Sequence, residues 1–321
     1  MSGAASAVVN RTGMFYYSKI TDPYGALTDN IISNLNGTWT GETLTGAVVP
    51  ADYTVNLSEA GPAKGAIGQK IAVPATYVFP NPGPATACFA FEAVSAKDLS
   101  TYEAVTFYIR SDVAIAGGDL YLCLSTNSAT VTTAYSARTE KLLLPAIPKT
   151  TMTVADVPDN GDEADEDKWV RVCLKLAAPS SDTAITAIGL YWAGVTTIDP
   201  GTINIYVQGL RGMHNFEGRT GFSISESVDE VDVTDYESKF TREFDTTFSA
   251  WTCSTEGHKE GAPPLDKGRK YVIAMAETDT VGQVFIGDAL YTGFNPSGTF
   301  AESVKYNYTL RGTGFLQRPL S

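Results

Sequence analysis

KWVRVCLKLA, residues 168–177, sets the period on which the chain is built. Val170, Val172, Leu174 and Leu176 alternate with Arg171, Cys173 and Lys175, so an extended backbone turns one apolar face inward and shows the other to its surroundings. The same period of two recurs upstream in EAVTFYIRSD (103–112), through Val105, Phe107 and Ile109, and in DLYLCLS (119–125), through Leu120, Leu122 and Leu124. Downstream it returns in ITAIGLYWAG (185–194), INIYVQGL (203–210), YVIAMAE (271–277) and VKYNYTLRGTG (304–314). Such runs, bounded by Gly, Pro, Asn and Asp, read as half-buried strands. Helical periodicity is nearly absent, so the predicted fold is all-β, with antiparallel sheets packed face to face.

Composition agrees with that reading and narrows function. Apolar residues make up 43% of the 321 and charged residues only 18%, enough for two cores without metal or disulfide support. The formal net charge of −13 argues against a surface that grips nucleic acid or an anionic membrane through neutralising contacts. Met1–Asn10 is small and mildly apolar without a basic opening, which does not read as a signal peptide. No apolar run approaches the roughly 18 residues of a membrane helix. Cys88, Cys123, Cys173 and Cys253 are scattered and form no CxxC pair, so they are expected to be small buried hydrophobes rather than zinc ligands.

The rhythm changes near Gly209–Gly218, where a strand gives way to the polar stretch RGMHNFEGR (211–219), read as a linker. The expected organisation is a flexible N-terminal arm over 1–29, one sandwich over 30–212 and a second domain over 213–321.

The first domain resembles the galactose-binding-like and related carbohydrate-binding jelly rolls. AKDLSTYEAVTFYIRSD (96–112) is similar to that family's polar turn and central strand, KWVRVCLKL to the strand a Trp opens, and ITAIGLYW to the next. INIYVQGLRG is similar to the closing strand, with Gln208 where the family usually has an acid. The resemblance implies a jelly roll and a possible glycan platform, for which Tyr135, Tyr191 and Trp192 are the candidates. Because successive strand residues face opposite sides, at least one of Tyr191 and Trp192 is expected in the core. The tract DNGDEADEDK (159–168) holds six carboxylates in nine residues, with Asp159, Asp162, Asp165 and Asp167 as calcium candidates. Its spacing does not follow the EF-hand loop, and the alternative is a solvated acidic loop.

The second domain resembles the major tail protein family of long-tailed bacteriophages. The matching residues are Val231, Asp232, Val233 and Thr234, then Arg242 and Glu243, then Ser249 through Gly257; VGQVFIGDALYTGF (281–294) and TFAESVKYNYTLRGTGFL (299–316) continue the likeness. In SAWTCSTE, alternation sets Trp251 and Cys253 on one face and Thr252 and Ser254 on the other. Gly312 and Gly314 are expected to let the backbone turn out of the last strand. Family members commonly carry a helix after the Glu-Gly turn, but HKEGAPPLDKGRKY (258–271), with Gly261, Pro263, Pro264 and Gly268, opposes one.

What this resemblance implies is a virion structural protein, a tail tube subunit made in the host cytoplasm and assembled as stacked hexameric rings that conduct DNA at ejection. Its partners would be itself and other tail or capsid proteins, with DNA passing unbound and host surface glycans possible ligands of the jelly roll. A DNA channel favours an acidic wall, and Glu226, Asp229, Glu230, Asp232, Asp245 and Glu256 are the lumen-facing candidates. The N-terminal arm and a hairpin near Tyr236–Phe248 are expected inter-ring contacts. The alternatives are a capsid decoration or head-fibre protein and a glycan-binding adhesin. No enzyme and no cofactor is expected: the two histidines, His214 and His258, read as exposed polar residues, and no GxSxG, HExxH, Walker or dinucleotide motif occurs.

Overall fold

The computed structural model describes residues 14–20, 30–42, 48–54, 67–74, 88–149, 169–193, 203–216, 219–232, 244–258, 265–276, 283–297 and 305–320. Among these the chain forms strands β1 (Met14–Ile20), β2 (Ile31–Ser33), β3 (Trp39–Gly41), β4 (Val49–Thr54), β5 (Ile67–Val73), β6 (Ala90–Lys97), β7 (Ala104–Ser111) and β8 (Leu120–Ser125). One short helix, α1 (Val131–Ser136), leads to β9 (Arg138–Leu143), β10 (Val170–Lys175), β11 (Ile185–Trp192) and β12 (Ile203–Asn215). The remainder is β13 (Arg219–Asp232), β14 (Phe244–His258), β15 (Lys270–Ala276), β16 (Val284–Ser297) and β17 (Lys305–Gln317). The fold is all-β, and among the described residues the strand pairs with a defined register run antiparallel. The chain gathers into two domains, one holding β2–β12 and the other β1 with β13–β17.

The first domain is a sandwich. One sheet runs β10-β7-β12-β5-β4, with β2 continuing beside β12, and the other runs β3-β6-β11-β8-β9. From β6 to β12 the chain changes sheet at every step but the β8–β9 hairpin, which is the back-and-forth winding of a jelly roll. The alternating apolar residues of both sheets meet in one core: Val105, Phe107 and Ile109 of β7, Val170, Val172 and Leu174 of β10, and Leu120, Leu122 and Leu124 of β8. Glu92 of β6 is buried with them and pins the β2–β3 connection. Its carboxylate accepts the Ser33 hydroxyl (2.7 Å) and the Gly37 N–H (2.9 Å), and a Cβ at Gly37 would stand 2.2 Å from Glu92 Oε1.

Two expectations are corrected in this region. The stretch read as a linker is strand through Asn215, and Met213 is fully buried. The cause is Gly209, whose φ of +67° puts a bulge between Gln208 and Arg211; beyond it β12 resumes pairing, Arg211–Met213 against Thr106–Ala104. In the stretch read as an N-terminal arm, Met14–Ile20 is a full strand paired residue for residue with β15, from Met14 opposite Ala276 to Ile20 opposite Lys270.

The second domain is one sheet in the order β1-β15-β16-β17-β14-β13. Its buried side is aromatic. Phe216, just ahead of β13, donates its N–H to the Phe15 carbonyl of β1 (2.8 Å), and its ring packs edge-on against Phe15 (5.5 Å), Tyr17 (5.5 Å) and Tyr308 of β17 (4.9 Å). These rings belong to one apolar cluster with Trp251, Ile273, Met275, Tyr291 and Leu310.

Candidate functional site

The second domain ends in a strand pair that outruns its sheet. β13 and β14 pair along their whole length, from Arg219 opposite Gly257 to Asp232 opposite Phe244, whereas β17 meets β14 only over Thr252–His258. Among the described residues, Phe244–Trp251 therefore pairs with β13 alone, and the outer edge of β13 carries no strand. A two-stranded ribbon is at best marginally stable by itself in water, and an unpaired strand edge is a template for another chain.

Where the ribbon leaves the sheet, Trp251 anchors it. The indole, 4% exposed, lies over Gly312 of β17 and Gly287 of β16; Cβ atoms there would stand 2.2 and 2.5 Å from its ring. Gly312 was expected to turn the backbone out of the last strand. The strand instead continues to Gln317, its register against β16 shifting between Gly312 and Leu316, and Gly312 supplies a slot for the indole.

Strand parity decides where the expected lumen residues fall. Ile224 and Glu226 of β13 lie opposite Cys253 and Trp251 on one face, while Thr252, Ser254 and Glu256 share the other face with their β17 partners Arg311, Thr309 and Asn307. Glu226 and Glu256 thus occupy opposite faces, and no single wall holds both. Glu226 is engaged by the Arg318 guanidinium. For Asp229, Glu230, Asp232 and Asp245 the strand register is described, opposite Phe248, Thr246, Phe244 and Val231 respectively, but their side chains lie outside the described residues. The Glu256 face is rich in hydroxyls: Ser223 and Ser254 are hydrogen-bonded at 2.7 Å, with Ser225 and Thr252 exposed beside them. Its described charges are mixed, since Glu256 shares it with Lys305 and Arg311.

Charge is distributed unevenly along this domain. From residue 226 to 245 the sequence carries Glu226, Asp229, Glu230, Asp232, Asp235, Glu237, Glu243 and Asp245 against only Lys239 and Arg242. The turn into β15 instead presents Lys267, Arg269 and Lys270 to solvent, and Lys19 reaches Asp266 at 3.3 Å. That turn enters level with the middle of the sheet, where Arg269 accepts the Tyr291 N–H and Tyr291 stands opposite Leu310.

In the first domain the expected glycan platform is split. Trp192 is 2% exposed and packs in the sandwich core, so it offers no surface to a sugar. Tyr191, its neighbour in β11, points to the other side, where Tyr135 of α1 stacks on it at 4.8 Å and Tyr121 of β8 approaches at 5.9 Å. Cations already lie over these rings: Arg138 over Tyr135 at 3.9 Å, and Lys141 over Tyr121 at 4.4 Å and Tyr191 at 4.9 Å. Burial, then the hydrogen bond with Tyr135, pushes the Tyr191 hydroxyl up to about 12. A cluster whose ring faces are filled by its own neighbours reads as packing of α1 onto the sheet.

The calcium candidates Asp159, Asp162, Asp165 and Asp167 lie outside the described residues. Among the described residues no group of three or more His, Cys, Asp or Glu is placed to hold a metal ion. His214, expected to be exposed, is half-buried: its ring packs on Tyr102 at 4.7 Å, Nδ1 lies 2.9 Å from the Thr101 carbonyl, and burial lowers its pKa. Gly287, Tyr121, Arg138 and Lys141 were not singled out in the sequence. The period-two rule reaches Tyr121 and Lys141, but only the pairing of β8 with β9 and β11 brings them together.

No known protein family matches the chain, and no curated protein does. Among solved structures, a chain of the tail of an empty GTA particle, obtained by helical refinement with C6 symmetry, is similar at 16% identity and a TM-score of 0.27. The similarity covers 34% of this chain and 87% of that one.

Proposed function

We propose that this chain is a structural subunit of a virus tail, in which the second domain joins copies head to tail into a tube and the jelly roll is displayed outside it. The observation that carries the reading is the β13–β14 ribbon, which extends past its own sheet and leaves a 14-residue strand with an open edge. The acidic run from 226 to 245 and the basic turn at Lys267–Lys270 support an end-on contact between unlike surfaces, the kind that propagates into rings or filaments. The sequence resemblance of residues 216–318 to the major tail protein family points the same way. In this reading the Thr252–Ser254–Glu256 face lines the passage, and its hydroxyls and mixed charge offer DNA phosphates no continuous row of cations.

Sedimentation velocity and electron microscopy of the full chain test this through a charge exchange. One variant carries Lys267→Glu, Arg269→Glu and Lys270→Glu; the other carries Asp229→Lys, Glu230→Lys and Asp232→Lys. Each alone is expected to stay small, and the two mixed are expected to associate, because only the mixture restores an opposite-charge contact. Discrete trimers, or wild-type monomers at every salt concentration, would refute the tube and favour a decoration or fibre protein.

A further inference from the structure

Asn36–Gly37, in the β2–β3 connection, is one of two Asn-Gly pairs in the sequence, and Asn36 is exposed. In such a pair the backbone nitrogen of the glycine can attack the side-chain amide carbon of the asparagine, because no Cβ obstructs the approach. Here that nitrogen is held. The Gly37 N–H donates to Glu92 Oε1 at 2.9 Å, and Oε2 of the same buried carboxylate accepts the Ser33 hydroxyl at 2.7 Å. Burial raises the pKa of Glu92, while the bonds from Ser33 and Gly37 oppose the rise and favour the charged acceptor. Between them Leu35 is fully buried at φ +55°, and its N–H donates to Ser33 Oγ at 2.8 Å. The Glu92 oxygen that leaves no room for a Cβ at 37 is also the acceptor of the Gly37 N–H. The contact that demands glycine, the residue most permissive of the attack, therefore also restrains it.

We propose that Asn36 is a deamidation site kept latent by Glu92. In the reaction the Gly37 nitrogen gives up its proton and forms a bond to Asn36 Cγ. The bond from Cγ to the side-chain nitrogen breaks, and that nitrogen leaves with the proton as ammonia. Water then opens the five-membered imide at either carbonyl and leaves aspartate or isoaspartate at 36. An imide nitrogen carries no hydrogen, so the ring cannot form without breaking the Gly37–Glu92 bond and leaving a buried carboxylate oxygen without its donor. A charged acceptor holds its donor by roughly tenfold to a hundredfold, which sets the size of the restraint. Either product adds a carboxylate to the exposed end of the turn, so the site keeps an irreversible record of opening of the β2–β3 connection.

The test is incubation of the full chain in mildly alkaline buffer, followed by peptide mass spectrometry that separates Asn36 from Asn160 of the other Asn-Gly pair. Folded wild type is expected to convert at Asn36 at least about tenfold more slowly than the same chain unfolded in urea. Glu92→Ala, checked for folding by circular dichroism, is expected to close most of that gap. Ser33→Ala, which leaves the Gly37–Glu92 bond in place, is expected to stay near the wild-type rate. Wild type converting as fast folded as unfolded, a folded Glu92→Ala variant as slow as wild type, or Ser33→Ala as fast as Glu92→Ala would overturn the proposal. Hydrogen exchange at the Gly37 amide of the wild type decides even if Glu92→Ala fails to fold: slow exchange is expected, and exchange at the unfolded rate contradicts a held N–H.

Discussion

In the first domain the longest strands lie inside their sheets, β12 with β7 on one side and β5 on the other, β11 between β6 and β8, and the edge at β3 is only three residues long. In the second domain the arrangement is reversed: β13 and β14, at 14 and 15 residues, stand at the edge of the strand order and run beyond it. Short edges and a core shared by two sheets are how a β protein stays alone; a long edge on a projecting ribbon invites a neighbour. On the proposed reading, that long edge is where the second domain would meet a neighbouring copy.

The largest effect on the second domain is expected at Trp251. Trp251→Ala removes a buried indole from the slot over Gly287 and Gly312, and a loss of about 3–5 kcal/mol is expected. Denaturant unfolding followed by fluorescence and circular dichroism should show the second domain melting early while the first keeps its midpoint. Gly312→Ala approaches the same slot from the other side. A methyl group 2.2 Å from the indole forces a shift costing about 1–3 kcal/mol, again confined to the second domain.

A pH titration reads the first domain separately. Asp182, which accepts the Thr139 hydroxyl, is pushed up to about 6 mainly by burial, with Glu140 beside it adding to the rise and the Thr139 bond opposing it. Glu140 in turn accepts the Ala177 and Ala178 N–H groups, at 3.1 and 2.7 Å. A carboxyl raised from 3.8 binds more protons folded than unfolded, so its contribution to stability is full below pH 3.8 and lost as the pH rises through about 6. Asp182→Asn is expected to flatten that slope in the first domain's midpoint and leave the second domain's unchanged. The smallest effect is expected at Arg318→Ala, which removes a solvent-exposed partner of Glu226 and should cost less than about 1 kcal/mol.

Much of this was legible in the chain because a period of two is a local property. Val105–Ile109, Leu120–Leu124 and Val170–Leu174 declared their strands, and SAWTCSTE correctly divided Trp251 and Cys253 from Thr252 and Ser254. What escaped needed information from elsewhere in the fold. Met14–Ile20 is a strand through its pairing with β15, some 250 residues away, and RGMHN reads as a linker until Gly209 is seen to bulge and resume. Glu226 and Glu256 look alike beside their strands, yet the register of β13 on β14 sends them to opposite faces. Tyr191 and Trp192 illustrate the reverse: alternation foretold that one would be core, and only the two-sheet packing told which.

Electron cryo-microscopy of the assembled protein is expected to show stacked rings with the second domain around the axis, the β13–β14 ribbon of each copy against the Lys267–Lys270 turn of the next, and the jelly roll outermost. A particle with the jelly roll at its axis, or ribbons that touch no neighbouring copy, would contradict it.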